Sequence, residues 1–238
     1  MKIGIIADIH GNIHALKAVE SALIRENVEE VWCLGDTIGY GAFPNECLEW
    51  VKGNVRRFVV GNHELAVLGF VDLSLLNDYA RVAIEWTREV LREDFREFLL
   101  QTKIQDLTEE FQLVHDTPES PGSMEYILSK AQAYRALIKQ QRDVCFFAHT
   151  HIPAAYSLAG GDVVEIDVSS SFTVDGRMLI NPGSVGQPRN RDPRSSFIVY
   201  EDGYVRYLKV EYDAKAAAKA ILKAGLPDFL AARLILGV

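Results

Sequence analysis

A chain of 238 residues that is 48% hydrophobic and 24% charged has a globular composition and the length to bury a sizeable core, which excludes a disordered or disulfide-stapled chain. Its 25 Lys and Arg stand against 33 Asp and Glu, a net charge of −8, so there is no broad basic footprint for duplex nucleic acid or an anionic membrane. No apolar run reaches the ~18 residues of a spanning helix, the N-terminus lacks a signal-peptide layout, and the cysteines form no CxxC pair; the expectation is a soluble, cytoplasmic protein with reduced thiols.

The chain opens with Ile3-Gly4-Ile5-Ile6-Ala7, read as a strand that stops at Asp8. Ile13 to Arg25 follows with Leu16, Val19 and Leu23 at i, i+3 and i+7, the period of an amphipathic helix, and Asn12 stands as its N-cap. Val31 to Leu34 is a second strand, ending at Gly35-Asp36. Pro44 to Val51 reads as a helix with proline in its first turn, and Phe58 to Val60 as a third strand ending at Gly61-Asn62-His63-Glu64. This β-α-β-α-β order calls for a parallel sheet with helices packed on it.

From Glu64 to Lys103 no strand stands out, while Ala80 to Val90 and Glu93 to Leu100 carry helical periodicity. Residues 64–103 are therefore expected to form a helical cap inserted into a single domain spanning 1–238. Phe111 to Val114 runs into His115, Ala131 to Gln141 reads as a helix, and Asp143 to Ala148 runs into His149-Thr150-His151. After His151 the pattern changes: Val163 to Val168, Arg177 to Ile180, Phe197 to Tyr200 and Tyr204 to Val210 are strands separated by Gly- or Pro-bearing turns, a spacing that suits an antiparallel second sheet. Helix closes the chain from about Ala214, with Lys215, Lys219 and Lys223 on a solvated stripe.

Where the polar residues fall is the informative feature. Asp8 and His10, Asp36, Asn62 and His63, His115, and His149 with His151 each follow an apolar strand. Taken singly, an Asp or Asn after a strand is turn chemistry and a lone His is an ordinary polar residue. Together they are restricted to ligand types at successive strand ends, and strand ends of an α/β sheet converge on one crevice. Two carboxylates, a carboxamide and four imidazoles exceed the needs of one tetrahedral zinc but suit two borderline cations sharing a bridging carboxylate. Two such ions ~3.5–4 Å apart can grip a phosphate and acidify a water, and they make a locally positive site within an acidic protein.

These residues carry a resemblance. Asp8-Ile9-His10, Gly35-Asp36, Gly61-Asn62-His63-Glu64, His115 and Ala148-His149-Thr150-His151, followed by Asn181-Pro182-Gly183-Ser184, resemble the metallophosphoesterase pattern of the calcineurin-like phosphoesterases. Asn181-Pro182-Gly183-Ser184 also resembles the small bacterial and archaeal phosphodiesterase branch, and the stretches Gly35 to Gly41 and Pro44 to Cys47 are similar to members related to diadenosine tetraphosphatases. The resemblance implies an α/β fold of two sheets in a sandwich flanked by helices. It implies that Asp8, His10, Asp36 and His151 hold one divalent transition metal and Asp36, Asn62, His115 and His149 a second, manganese or iron in preference to zinc or nickel. It implies hydrolysis of a phosphodiester or nucleotide polyphosphate by a metal-bound hydroxide, with His63 stabilising phosphoryl charge or protonating the leaving oxygen. Asp116 and Ala148 depart from the pattern, which often has glycine there.

Arg189 is a candidate for bidentate phosphate contact, with Arg191 and Arg194 on the same loop, and Tyr40 for stacking on a base. The expected partner is a small phosphorylated substrate. The rival readings are a phosphomonoesterase or protein phosphatase, which shares the metal core, and a noncatalytic scaffold of the same fold, against which His63 and the full ligand set argue. A zinc peptidase would call for HExxH, which this chain lacks.

Overall fold

In the computed structural model, which describes residues 1–238, the elements alternate at first as expected: β1 (Lys2–Ile6), α1 (Ile13–Arg25), β2 (Glu30–Cys33), α2 (Pro44–Asn54) and β3 (Val55–Phe58). Helices then take over, with α3 (Asn62–Leu68), a 3₁₀ turn at Leu73–Leu75, α4 (Asp78–Val90) and α5 (Glu93–Leu100). Next come β4 (Gln105–Leu107), β5 (Phe111–Val114), α6 (Lys130–Lys139) and β6 (Val144–Phe146). Six strands follow: β7 (Ala154–Ala159), β8 (Asp162–Glu165), β9 (Phe172–Thr173), β10 (Met178–Asn181), β11 (Ser195–Glu201) and β12 (Tyr204–Val210). The chain closes with α7 (Ala214–Lys223) and α8 (Asp228–Leu236).

The strands form two mixed sheets of six, in the orders β3-β2-β1-β11-β12-β9 and β4-β5-β6-β10-β7-β8. This corrects the expectation that the strands after His151 make an antiparallel sheet of their own. β11 and β12 return to the first sheet, with β11 antiparallel to β1, while β10 lies parallel to β6 and antiparallel to β7. β5 and β6 also leave the first sheet and found the second. The third strand runs from Val55 to Phe58 rather than from Phe58 to Val60: Val59 N still donates to Cys33 O at 3.2 Å, but there the chain turns to Lys103, which Val59 bridges and whose carbonyl accepts from Val60 N at 2.9 Å.

Alternation along β1 sends Ile3 and Ile5 into the space between the sheets, where they meet Trp32, Leu113, Phe146, Ile180 and Ile198. Its other face meets α1. There Ile6 packs with Leu16, Val19 and Leu23, and Gly4 lets the helix lie close: a Cβ at Gly4 would fall 2.4 Å from Leu23 Cδ2. Asn12 caps α1 as expected, its side chain accepting from Ala15 N at 3.1 Å, a contribution of about 1 kcal/mol. The outer face of the second sheet is covered by α6 through Ala133, Ala136 and Leu137.

Helix α4 buries Ala80, Ala83, Ile84 and Thr87. Ile84 joins the apolar cluster of α3 and α5, whereas Ala80 and Ala83 face Leu230 and Leu234 of α8. The helices of residues 62–100 are thus tied to the C-terminal pair. No helix is long and apolar enough to cross a membrane.

Candidate metal centre

The parallel strands β1, β2 and β3 of one sheet and β5 and β6 of the other deliver their C-terminal loops to a common edge. Backbone bonds stitch these loops together: Asp8 N donates to Gly35 O at 3.0 Å, His10 N to Asp36 O at 2.9 Å, and Ala148 N to His115 O at 2.8 Å. Asp8, His10, Asp36, His149 and His151 all have left-handed backbones, with φ between 49° and 69°. Each costs ~1–3 kcal/mol, and such strain clusters where side chains must be aimed at a site. Close approach fixes two glycines. A Cβ on Gly61 would lie 2.2 Å from Asp36 Oδ1, and one on Gly39 2.1 Å from His63 Nδ1. At Ala148 and Asp116, by contrast, φ is negative, so the backbone does not call for glycine.

Glu64 locks this arrangement. Fully buried, its carboxylate accepts from Asp36 N at 2.9 Å and Gly61 N at 2.8 Å through Oε2, and from Thr37 N at 2.6 Å and Ile38 N at 3.2 Å through Oε1. Burial and neighbouring Asp36 push its carboxyl up to about 7 against the pull of these N–H groups. The Asn181 segment braces the other side: Asn181 Nδ2 donates to Ala148 O at 2.9 Å, and Ser184 Oγ to Asp8 O at 2.9 Å.

The side chains converge in two groups that share Asp36. Ligand-type atoms of Asp8, His10, Asp36 and His151 lie within 4.8 Å of one another, as do those of Asp36, His115 and His149. Asn62 joins the second group, its Oδ1 3.2 Å from His115 Nε2. Backbone carbonyls orient the imidazoles: Ile38 O binds His10 Nδ1, Leu34 O binds His115 Nδ1 and Gln187 O binds His151 Nδ1, turning each Nε2 inward. His149 is reversed, with Nε2 donating to Met124 O at 3.1 Å and Nδ1 left for the site.

Two observations show that this donor set fits cations. Both carboxylate oxygens of Asp8 are buried without a hydrogen-bond partner, and His10 Nε2 faces His151 Nε2 at 3.1 Å. Unpaired buried carboxylate oxygens and opposed imidazole lone pairs are costly unless a positive centre lies between them. The residues expected from sequence are thus brought together around two divalent-metal-binding groups that share the Asp36 carboxylate.

Electrostatics agree. Burial holds His10 and His151 well below the ordinary histidine range and takes His149 to about 3, keeping these rings neutral and able to ligate. Burial, reinforced by Asp36, pushes the Asp8 carboxyl up to about 8. Asp36 is as buried, but His115, His63 and His10 outweigh that effect and hold it well below the usual carboxylate range. His115 answers in kind: Asp36 and Asp8 overcome burial and raise it to about 10. His63 lies 4.7 Å from the His10 ring, centroid to centroid, and burial takes it to about 4. Its Nδ1 is buried and makes no hydrogen bond within the protein.

The crevice beside these groups, a cavity of about 320 Å³, is walled by Tyr40, His63, Asn77, Ala80, Tyr126 and Arg189. The three loop arginines are separated. Arg189 enters the crevice with Gln187 Oε1 as its polar partner and its guanidinium 5.9 Å over the Tyr40 ring. Arg194 pairs with Asp192 at 2.7 Å, and Arg191 is exposed. Tyr40 is buried, with its ring 4.4 Å from that of His63, rather than free to stack. Tyr126, with no motif to mark it, lies parallel to His149 at 4.0 Å. The carbonyls of Met124 and Gln187 carry no side-chain signal that a sequence could show. The three cysteines are buried and free, Cys33 pushed up to about 12 by burial.

The family model for the calcineurin-like phosphoesterase superfamily domain matches residues 1–203. The chain is 36% identical over 241 residues to an uncharacterised protein of Methanocaldococcus jannaschii, covering 99% of this chain and 98% of that one. The crystal structure of a metallophosphoesterase from Sphaerobacter thermophilus superposes with a TM-score of 0.89 at 35% identity, covering 100% of this chain and 99% of that chain. A shorter similarity, 37% over 67 residues and 24% of the relative, links it to the symmetrical bis(5'-nucleosyl)-tetraphosphatase of Psychromonas ingrahamii.

Proposed function

Because the chain belongs to the calcineurin-like phosphoesterase superfamily, we propose that this binuclear metalloenzyme hydrolyses small phosphodiesters or nucleotide polyphosphates. The carrying observation is the pair of ligand groups joined through Asp36 beside a crevice that His63 and Arg189 enter without being drawn into either group. Asp8, His10, Asp36 and His151 hold one cation, and Asp36, Asn62, His115 and His149 the other. Imidazole-rich ligation favours manganese or iron, then zinc or nickel, over magnesium or calcium. When bound, the two ions supply Lewis acidity and an acidified water.

The remaining work falls to the chain. His63, neutral and lining the crevice, donates a ring N–H to a phosphoryl oxygen and steadies the charge that develops there. Depression to about 4 makes that role the better fit than proton donation from the resting enzyme. Arg189, free of any carboxylate, offers its guanidinium to a phosphate oxygen. Tyr126 presents a partly exposed ring to an aryl or base group, and the helical cap supplies Asn77 and Ala80 to the opposite wall. A cavity of about 320 Å³ suits a small molecule rather than a folded phosphoprotein.

Side-by-side rates with added manganese, before and after chelation, test this. Bis-aryl phosphate and dinucleoside polyphosphate should be hydrolysed faster than aryl monophosphate or a phosphoserine protein. Preference for the monoester would make the enzyme a phosphomonoesterase, and no turnover on any of them would make it a scaffold.

A further inference from the structure

Between β5 and α6 the chain runs from His115 to Ser129 with no helix or strand of its own, and one side chain sets its course. Asp116 is buried. Its Oδ1 accepts from Gly122 N at 3.1 Å and its Oδ2 from Met124 N at 2.7 Å. Both acceptors are spent on residues with left-handed backbones, Gly122 at φ +88° and Met124 at φ +64°, so the carboxylate stabilises a course the chain would otherwise avoid. The loop then grips His149 twice: Met124 O accepts from its Nε2 at 3.1 Å, and the Tyr126 ring lies over it at 4.0 Å with an interplanar angle of 18°. At the far end, buried Ile127 ties the loop to the apolar cluster under α6. A residue without an acceptor at 116 would lose both anchoring bonds and leave Met124 free to turn its carbonyl away from His149.

We propose that Asp116 is a positioning residue for the second cation: by fixing the Met124 carbonyl it sets the tautomer and ring orientation of His149, and with them the affinity of the Asp36–Asn62–His115–His149 group. This rests on the assignment of His149 to the second cation made above. Partners one shell out from a ligand govern affinity because they decide which ring nitrogen bears the proton and where the other points. The imidazoles of the other site are oriented separately, His10 by Ile38 O and His151 by Gln187 O, so the change reaches that site only through the shared Asp36.

The full-length wild type and the variants Asp116→Ala and Asp116→Asn are stripped by chelation and titrated with Mn(II). Calorimetry gives the two affinities, and electron paramagnetic resonance distinguishes a coupled ion pair from an isolated ion. For Asp116→Ala the second ion should bind ~10–100-fold more weakly, while the first shifts by less than about threefold. Asp116→Asn, which keeps one carbonyl acceptor, should fall between. In the metal-free proteins, the ¹⁵N shifts of His149 should report an Nε2–H ring in the wild type and a tautomer mixture in the variants. Equal weakening of both ions, or an unchanged second affinity with an unchanged His149 tautomer, overturns the proposal. A wild type that takes up only one ion would instead sink the binuclear reading on which it rests.

Discussion

Replacing Glu64 by glutamine asks whether one buried side chain holds the metal-bearing loops together. Four backbone N–H groups, from Asp36, Thr37, Ile38 and Gly61, converge on its carboxylate. Glutamine has the same shape but turns one acceptor oxygen into an amide group facing two of those donors. An unsatisfied buried N–H costs ~1–3 kcal/mol, so the substitution should cost roughly 2–6 kcal/mol. For a chain of this size that is a fall in Tm of roughly 5–20 °C. Glu64→Ala leaves all four donors unpaired, a loss of about 4–12 kcal/mol that rivals the whole stability of an ordinary domain, and no folded protein is expected. Thermal and urea unfolding of the chelated protein measure the loss for glutamine. Mn(II) titration should show both cations bound more weakly, because Asp36 serves both groups. A Glu64→Gln variant that melts within about 1 °C of wild type and binds both ions unchanged would refute the reasoning.

Asp36→Ala should be the most damaging ligand change, lowering metal content after reconstitution toward zero where His149→Ala or His151→Ala removes about one ion; elemental analysis decides. His63→Ala should keep both ions yet lose ~10²–10³-fold in turnover, and an emptied site in that variant would show that His63 is a ligand instead. Loading the stripped protein at pH 7 should release about two protons, since Asp8, at about 8, and His115, at about 10, both carry one before metal enters. Affinity should therefore rise with pH, roughly tenfold per unit for each proton displaced, as calorimetry in buffers of different ionisation enthalpy will show. The sign for stability is opposite: a carboxyl raised in the folded state is at its most favourable while protonated. Asp8's contribution to the metal-free fold therefore falls as pH rises from about 4 to about 8.

Helix α1 and its cap could be read from spacing alone, because Leu16, Val19 and Leu23 must share a face and Asn12 is the residue placed to accept the first free N–H. The strands were legible in outline, but not their pairing. Phe111 to Val114 is apolar whichever sheet it enters, and the run through Ile198 has the same alternation beside β1 as it would beside β10. Which sheet a strand joins is decided by what packs across the interior, as when Trp32 meets Phe111 and Phe146.

The same division runs through the site. Its chemistry is written in the residue types: Asp, Asn and His at the ends of strands converge where parallel strands share an edge, so the candidate residues could be named from sequence. What tertiary structure alone decided is orientation. It set which nitrogen of each imidazole points inward, through the carbonyls of Leu34, Ile38, Met124 and Gln187, which have no side-chain signature. It separated Arg189 from Arg194, which Asp192 claims, and it placed Tyr126 against His149 across a loop held by Asp116. Residue type carries the capacity to bind a cation or a phosphate; distance and angle, which depend on the whole packed chain, determine which groups use it.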